Sequence, residues 1–187
     1  AGNERGNGAC GTSFGTIPPP AGAKNVITVG AVNTNDGSLT AGTGFGPMDD
    51  GRIKPDVVAP GGQVGGDGGI TSLSSTNPNG YVVMTGSSMA TATVSGVLSL
   101  ITKDYRDTHP GENPPPALMK ACLIHTAVDI DQPGPDFKSG WGSVRAVPAI
   151  DLMRSGQYLQ ASVIQDGVYL FEVNIAPSDT MLKVTVV

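Results

Sequence analysis

Thr85–Tyr105 reads TGSSMATATVSGVLSLITKDY, and the change of texture inside it decides the fold. A strand ends at Gly86 and a buried helix begins at the second serine, Ser88. From Ser88 to Tyr105 the only Gly or Pro is Gly96, while Val94, Val97, Leu98 and Ile101 recur at helical spacing. Ala90, Ala92, Ser95 and Gly96 are small enough to let this helix pack close to its neighbours. A serine in that place has two readings. On position alone the ordinary one is an N-cap, accepting from an unpaired amide. The functional one uses the positive end of the helix dipole, where unpaired amides favour charge developing on a bound oxyanion. Gly86 leaves room for a substrate backbone beside it.

Outward from this stretch, short apolar runs alternate with loops. Asn25–Val32 (NVITVGAV) is β-branched and small, the texture of a strand buried on both faces. Thr40–Pro55 is Gly- and Asp-rich loop. Asp56–Ala59 gives a second brief strand, ended by Pro60-Gly61, and Gly61–Gly69 is loop again. Ile70–Leu73 and Tyr81–Met84 are further strand candidates. Upstream, Glu4–Gly15 is Gly-rich loop, and Pro18-Pro19-Pro20 forbids regular structure and can hold a cis peptide. Downstream, Asn113 with Pro114 reads as an N-cap and first-turn proline. The helix they open runs to about Ala127, with Leu118, Cys122 and Val128 among its apolar positions. Strands alternating with buried helices predict an α/β fold, a parallel sheet covered on both sides in three αβα layers.

After about Asp151 the texture changes. Tyr158–Ile164, Val168–Asn174 and Leu182–Val187 are strand candidates, the first two separated by Gln165-Asp166-Gly167, a hairpin signal. This places a boundary near residue 155, with residues 1–155 as one domain and 156–187 as the start of an all-β sandwich or barrel. The ends, Ala1 without a leader before it and Val187 inside an apolar run, read as those of an excerpt from a longer chain.

Composition narrows the function. Of 187 residues, 39% are hydrophobic and 14% charged, so a packed core is affordable. The 27 Gly and 15 Pro, with four Phe, four Tyr and one Trp, suit tight loops around a small-residue core. A net charge of -5 with scattered Lys and Arg disfavours nucleic acid as a partner. No run approaches the roughly 18–20 apolar residues of a membrane span. Cys10 and Cys122 leave a disulfide and two free thiols both open, although the apolar helical setting of Cys122 reads as a buried thiol.

Four landmarks in order carry a resemblance: Ala1-Gly2-Asn3, NVITVGAV, Asp49–Gly61 (DDGRIKPDVVAPG) and Gly86–Ala90 (GSSMA). Together with Ser139-Gly140-Trp141-Gly142 they resemble the subtilases, the subtilisin-like serine proteases, over roughly residues 1–150. The resemblance implies the C-terminal portion of a subtilisin-like catalytic domain, followed by the partial β-domain some members carry. It implies peptide-bond hydrolysis by a secreted or extracellular endopeptidase. Ser88 becomes the nucleophile, and Asn3 the asparagine that donates to the oxyanion beside the Ser88 backbone N–H. Pro20 matches a proline often held cis. Ala1, Gly2, Thr16, Ile17, Pro18 and Gly86 become substrate-binding residues.

Departures are Ser87 where the family has Thr, Ala92 where it has Pro, and Thr93 where His is frequent. The catalytic Asp and His of the family precede its Asn and Ser, so both belong before Ala1. His109 and His125 follow the serine, and a hydroxyl without its base is a weak nucleophile. This polypeptide alone is therefore expected to be inactive, its partners being a polypeptide substrate and the N-terminal portion of the same protease. No cofactor is certain; calcium is the one the resemblance allows, with Asp49-Asp50 and Asp129/Asp131 as carboxylates in loops. Asp is equally a turn residue. The rival reading is a non-catalytic subtilase-fold binding or scaffold module. A different serine hydrolase would carry Gly-x-Ser-x-Gly, and position 90 is Ala.

Overall fold

The computed structural model describes residues 1–187. Two parallel strands, β1 (Val29–Asn33) and β2 (Val57–Gly62), pair with Val29 opposite Val57 and Ala31 opposite Ala59. Apart from the half-buried Asn33 that ends β1, both runs are apolar, as strands without a solvent face must be. Residues 142–144 extend the sheet beside β2, through Val58 N–H to Gly142 O at 2.9 Å and Val144 N–H to Val58 O at 3.0 Å. β3 (Ile70–Leu73) and β4 (Tyr81–Met84) form a separate antiparallel hairpin, on the residues anticipated.

Three helices complete the fold: α1 (Ser87–Thr108), α2 (Pro116–Thr126) and α3 (Ala146–Ser155). Val29, Ala31, Val57 and Ala59 form one hydrophobic cluster with Ala90, Val94, Val97 and Ile101 of α1, Cys122–Ile124 of α2, and Ala149 and Met153 of α3. The helices of this chain thus share one core with one set of strand side chains. Around Gly30 the sheet is approached closely instead: a Cβ there would lie 2.9 Å from Val58 and 3.1 Å from the Thr43 hydroxyl.

Element boundaries shift for identifiable reasons. β1 starts at Val29 rather than Asn25, because the Val26 carbonyl accepts from Lys54 Nζ at 2.8 Å and the Thr28 N–H donates to Asp56 Oδ2 at 2.7 Å. Those backbone groups are committed to side chains and leave the ladder. β2 runs on through Pro60 to Gly62, with a register slip between Val32 and Asn33 that tolerates the proline. α2 opens at Pro116, with Pro115 as N-cap at ψ 140. Each of Pro114 and Pro115 precedes another proline and is held out of the helical region, so only the last of the three can start the helix. Asn113 is not the cap; its side-chain oxygen accepts from Arg106 Nε at 2.9 Å.

α3 falls where the sequence predicts no element, and it contains Pro148. The proline stands in the first turn, where it is tolerated, and Gly156 closes the helix at φ 65. Beyond Gly156 the structure contains no strand. The turn at Asp166 is present, with Gly167 N–H to Ile164 O at 2.9 Å, but its flanks do not pair. An isolated hairpin is marginal in water without a further layer to cover its apolar face. The tail meets the body where Thr185 Oγ1 lies 3.0 Å from His125 Nδ1 and Lys183 donates to the His125 carbonyl. Cys10 is exposed and Cys122 buried, both as free thiols.

Candidate active site

Gly86 is the hinge between β4 and α1. It holds φ 144 and ψ 172 as the N-cap, a backbone favouring glycine. The amides that follow are unequally satisfied. Met89 and Ala90 N–H turn back to the Gly86 carbonyl, and Ser87 N–H donates to Asn3 Oδ1 at 2.9 Å, across 84 residues of chain. Ser88 N–H has no acceptor within the chain. The Ser88 side chain is exposed while Ser87 is buried.

The contact with Ser87 also orients Asn3. A backbone N–H must meet the carboxamide oxygen, so the two N–H bonds of Nδ2 point elsewhere, and no chain acceptor takes them. Asn3 opens a single 3-10 turn, Glu4–Gly6, with Gly6 N–H bonded back to Asn3 O at 3.3 Å. Beside Asn3 and Gly86 lies a cavity of about 420 Å³, whose other walls are Asn33, Thr40–Gly42, Val64 and Thr85. None of those wall residues was singled out from sequence. They meet the site through backbone and small side chains, which leave no residue-type signature.

The other anticipated substrate-binding residues sit apart from that cavity. Gly2 (φ 79) abuts Pro18, since a Cβ at position 2 would lie 2.7 Å from the proline ring. Ala1, Thr16 and Ile17 are buried. The Thr16 hydroxyl accepts from Phe45 N–H at 2.9 Å and its own N–H donates to Phe45 O at 2.8 Å, so its polar groups frame the loop. Pro19-Pro20 is cis, as are Gly46-Pro47 and Lys54-Pro55.

Neither histidine reaches Ser88. His109 lies 21 residues further along α1, about 30 Å at the helical rise, and stacks on Tyr105 at 4.1 Å. His125 closes α2, where burial and Lys183 hold its pKa below the ordinary value. The candidate calcium carboxylates do not converge as a donor set. Asp50 pairs with Arg52 at 2.6 Å, Asp131 with Lys138 at 2.8 Å, and Asp129 accepts from Gly134 N–H at 2.5 Å. They fit turn chemistry, not a cation.

A model of the subtilase family matches residues 1–142. The chain belongs to the subtilase family. Among relatives, it is 28% identical over 150 residues to subtilisin-like protease SBT6.1 of Arabidopsis thaliana, covering 78% of this chain and 14% of that protein. It is 30% identical over 125 residues to serine protease AprX of Bacillus subtilis (strain 168), covering 56% and 26%. Among solved structures, the CspB protease of Clostridium perfringens superposes with a TM-score of 0.64 at 28% identity, covering 77% of this chain and 30% of that one. The prenylagaramide maturation protease PagA gives 0.59 at 26%, covering 81% and 48%. This subtilase chain thus spans between a seventh and a quarter of the two curated relatives and less than half of either solved structure. The α/β fold with its parallel sheet is subtilisin-like, and no helix is long and apolar enough to cross a membrane.

Proposed function

We propose that this chain is the nucleophile-bearing portion of a secreted serine endopeptidase. Ser88 Oγ passes its proton to a general base and adds to the peptide carbonyl. The Ser88 N–H and Asn3 Nδ2 hold the oxyanion of the tetrahedral intermediate, whose collapse expels the amine, protonated by the same base, and leaves the acyl-enzyme. One observation carries this reading: a carboxamide 84 residues upstream is fastened to the amide beside Ser88 while its own donors, and the Ser88 N–H, remain without acceptors. Gly86 flanks the scissile position, and Ala1, Gly2, Thr16, Ile17 and Pro18, which do not line the cavity beside Asn3, back a substrate pocket from behind the Asn3 turn. The general base and its carboxylate come from residues outside 1–187, in the N-terminal portion of the same protease. The exposed, small and uncharged Ala92, Ser95, Gly96 and Ser99 of α1 suit close packing by that portion. Without it, the chain does not turn over peptides. Residues 156–187 begin a β-domain completed by further strands.

A fluorophosphonate probe applied to the full-length parent is expected to label Ser88, and Ser88→Ala to abolish labelling; labelling that survives the substitution rejects the assignment. The second reading, a scaffold module with a decayed site, draws on Ala92 and Thr93 in the motif. An Asp-Gly and a His-Gly-Thr-like segment upstream favour the enzyme, and their absence the scaffold.

A further inference from the structure

The segment that presents Asn3 is poorly tethered by its own backbone. Gly6, Gly8 and Gly11 loosen it, and its backbone hydrogen bonds from Asn3 to Gly11 are local: Gly6 to Asn3, Gly8 to Arg5, Ala9 to Glu4 and Gly11 to Gly8. Hydrogen bonds leave residues 3–14 at two places. One is the Ser87 N–H on Asn3 Oδ1. The other is Arg5, whose Nε donates to the Thr43 carbonyl at 2.6 Å and whose Nη2 donates to the Thr40 carbonyl at 3.3 Å. Its guanidinium also lies over the Phe45 ring, 3.9 Å from the centroid. No carboxylate forms an ion pair with it, so the fork serves carbonyls alone.

What Arg5 grips is itself fixed. Thr43 is fully buried and its hydroxyl accepts from Ala31 N–H of β1 at 2.9 Å. The gripped segment also lies directly against the asparagine: a Cβ at Gly42 would come 3.4 Å from the Asn3 carbonyl, and one at Gly6 3.0 Å from Gly42 Cα. The Asn3 turn is therefore fastened to α1 through one hydrogen bond and to β1 through Arg5.

We propose that Arg5 is a positioning residue for the oxyanion donor: by holding the Thr40 and Thr43 carbonyls it sets where Asn3 Nδ2 stands relative to the Ser88 N–H. This rests on the reading of Asn3 given above. A displacement of about 1 Å at such a donor can cost on the order of 10²-fold in rate, and Arg5 acts without touching substrate. Its loss thus changes turnover more than substrate binding.

The test is steady-state kinetics on the full-length protease carrying Arg5→Met, Arg5→Lys, Asn3→Ala and the Asn3→Ala combinations. Arg5→Met keeps the apolar stem and removes the fork. It is expected to lower kcat about tenfold with KM unchanged, and Arg5→Lys to lower it less. In the Asn3→Ala background neither Arg5 substitution is expected to lower kcat further, because the group it positions is gone. A loss of equal size in both backgrounds, or an unchanged kcat in Arg5→Met, overturns the proposal while leaving Asn3 in place. An unchanged kcat in Asn3→Ala overturns the oxyanion reading itself, and the proposal with it. If Arg5→Met does not fold, Arg5→Lys carries the same two-background comparison.

Discussion

Gly86 and Asn3 define each other's space. A Cβ at position 86 would stand 3.0 Å from Asn3 Nδ2 and 3.1 Å from its Oδ1, on a backbone at φ 144 that other residues rarely adopt. Gly86→Ala is therefore expected to push the carboxamide off the Ser87 amide and to cost about 1–3 kcal/mol in strain. Denaturant unfolding of the parent alongside its turnover checks this; a variant with unchanged stability and rate contradicts the packing described. Asn3→Ala should lower kcat by about 10²–10³, the general size for an oxyanion donor, with KM little moved. That Asn3 and the Gly86–Ser88 turn meet was legible only through the family motif, since on position alone Ser88 reads as an N-cap. Arg5 and Thr40–Gly42 were not legible, because carbonyls and backbone shape do their part.

At the scale of elements, the buried ion cluster at the start of β2 explains why β1 begins later than its apolar run. Asp56 receives Lys54 Nζ at 2.6 Å, Lys120 Nζ of α2 at 2.8 Å and the Thr28 amide at 2.7 Å, with the Lys54 side chain only 2% exposed. Burial pushes the Lys54 pKa down, opposed by the hydrogen bond and charge of Asp56. One carboxylate thus joins β2, α2 and the approach to β1. Replacing it strands two ammonium groups, so Asp56→Ala should destabilise by about 3–5 kcal/mol; a loss under about 1 kcal/mol in urea unfolding contradicts the pinning role. The motif was plain in Lys54-Pro55-Asp56, yet spacing alone gave no hint that the side chains turn inward together. Cys122 was legible as buried: it is 1% exposed and its thiol is pushed up to about 11. Native alkylation near pH 8 should label Cys10 and spare Cys122, and modification of Cys122 at a comparable rate contradicts that packing.

For the whole molecule, the body and the tail behave differently. The alternation of apolar runs with Gly- and Pro-rich loops made the parallel sheet and α1 readable, because burial on both faces imposes that texture. The tail has alternating apolar residues but lacks the neighbours that turn alternation into a ladder; Ile164 is 84% and Leu170 87% exposed. Limited proteolysis of this chain is expected to cut beyond Gly156 before it cuts within residues 1–155, and early cleavage inside α1 or β2 contradicts the division. The chain covers only a fraction of each relative's length, and the proposed base lies outside it. The central claim is accordingly best tested in the complete protease. A crystal structure of the parent phosphonylated at Ser88 should place the phosphoryl oxygen within hydrogen-bond distance of both the Ser88 N–H and Asn3 Nδ2. An oxygen turned to solvent or to other donors, with Asn3 remote from it, contradicts the account.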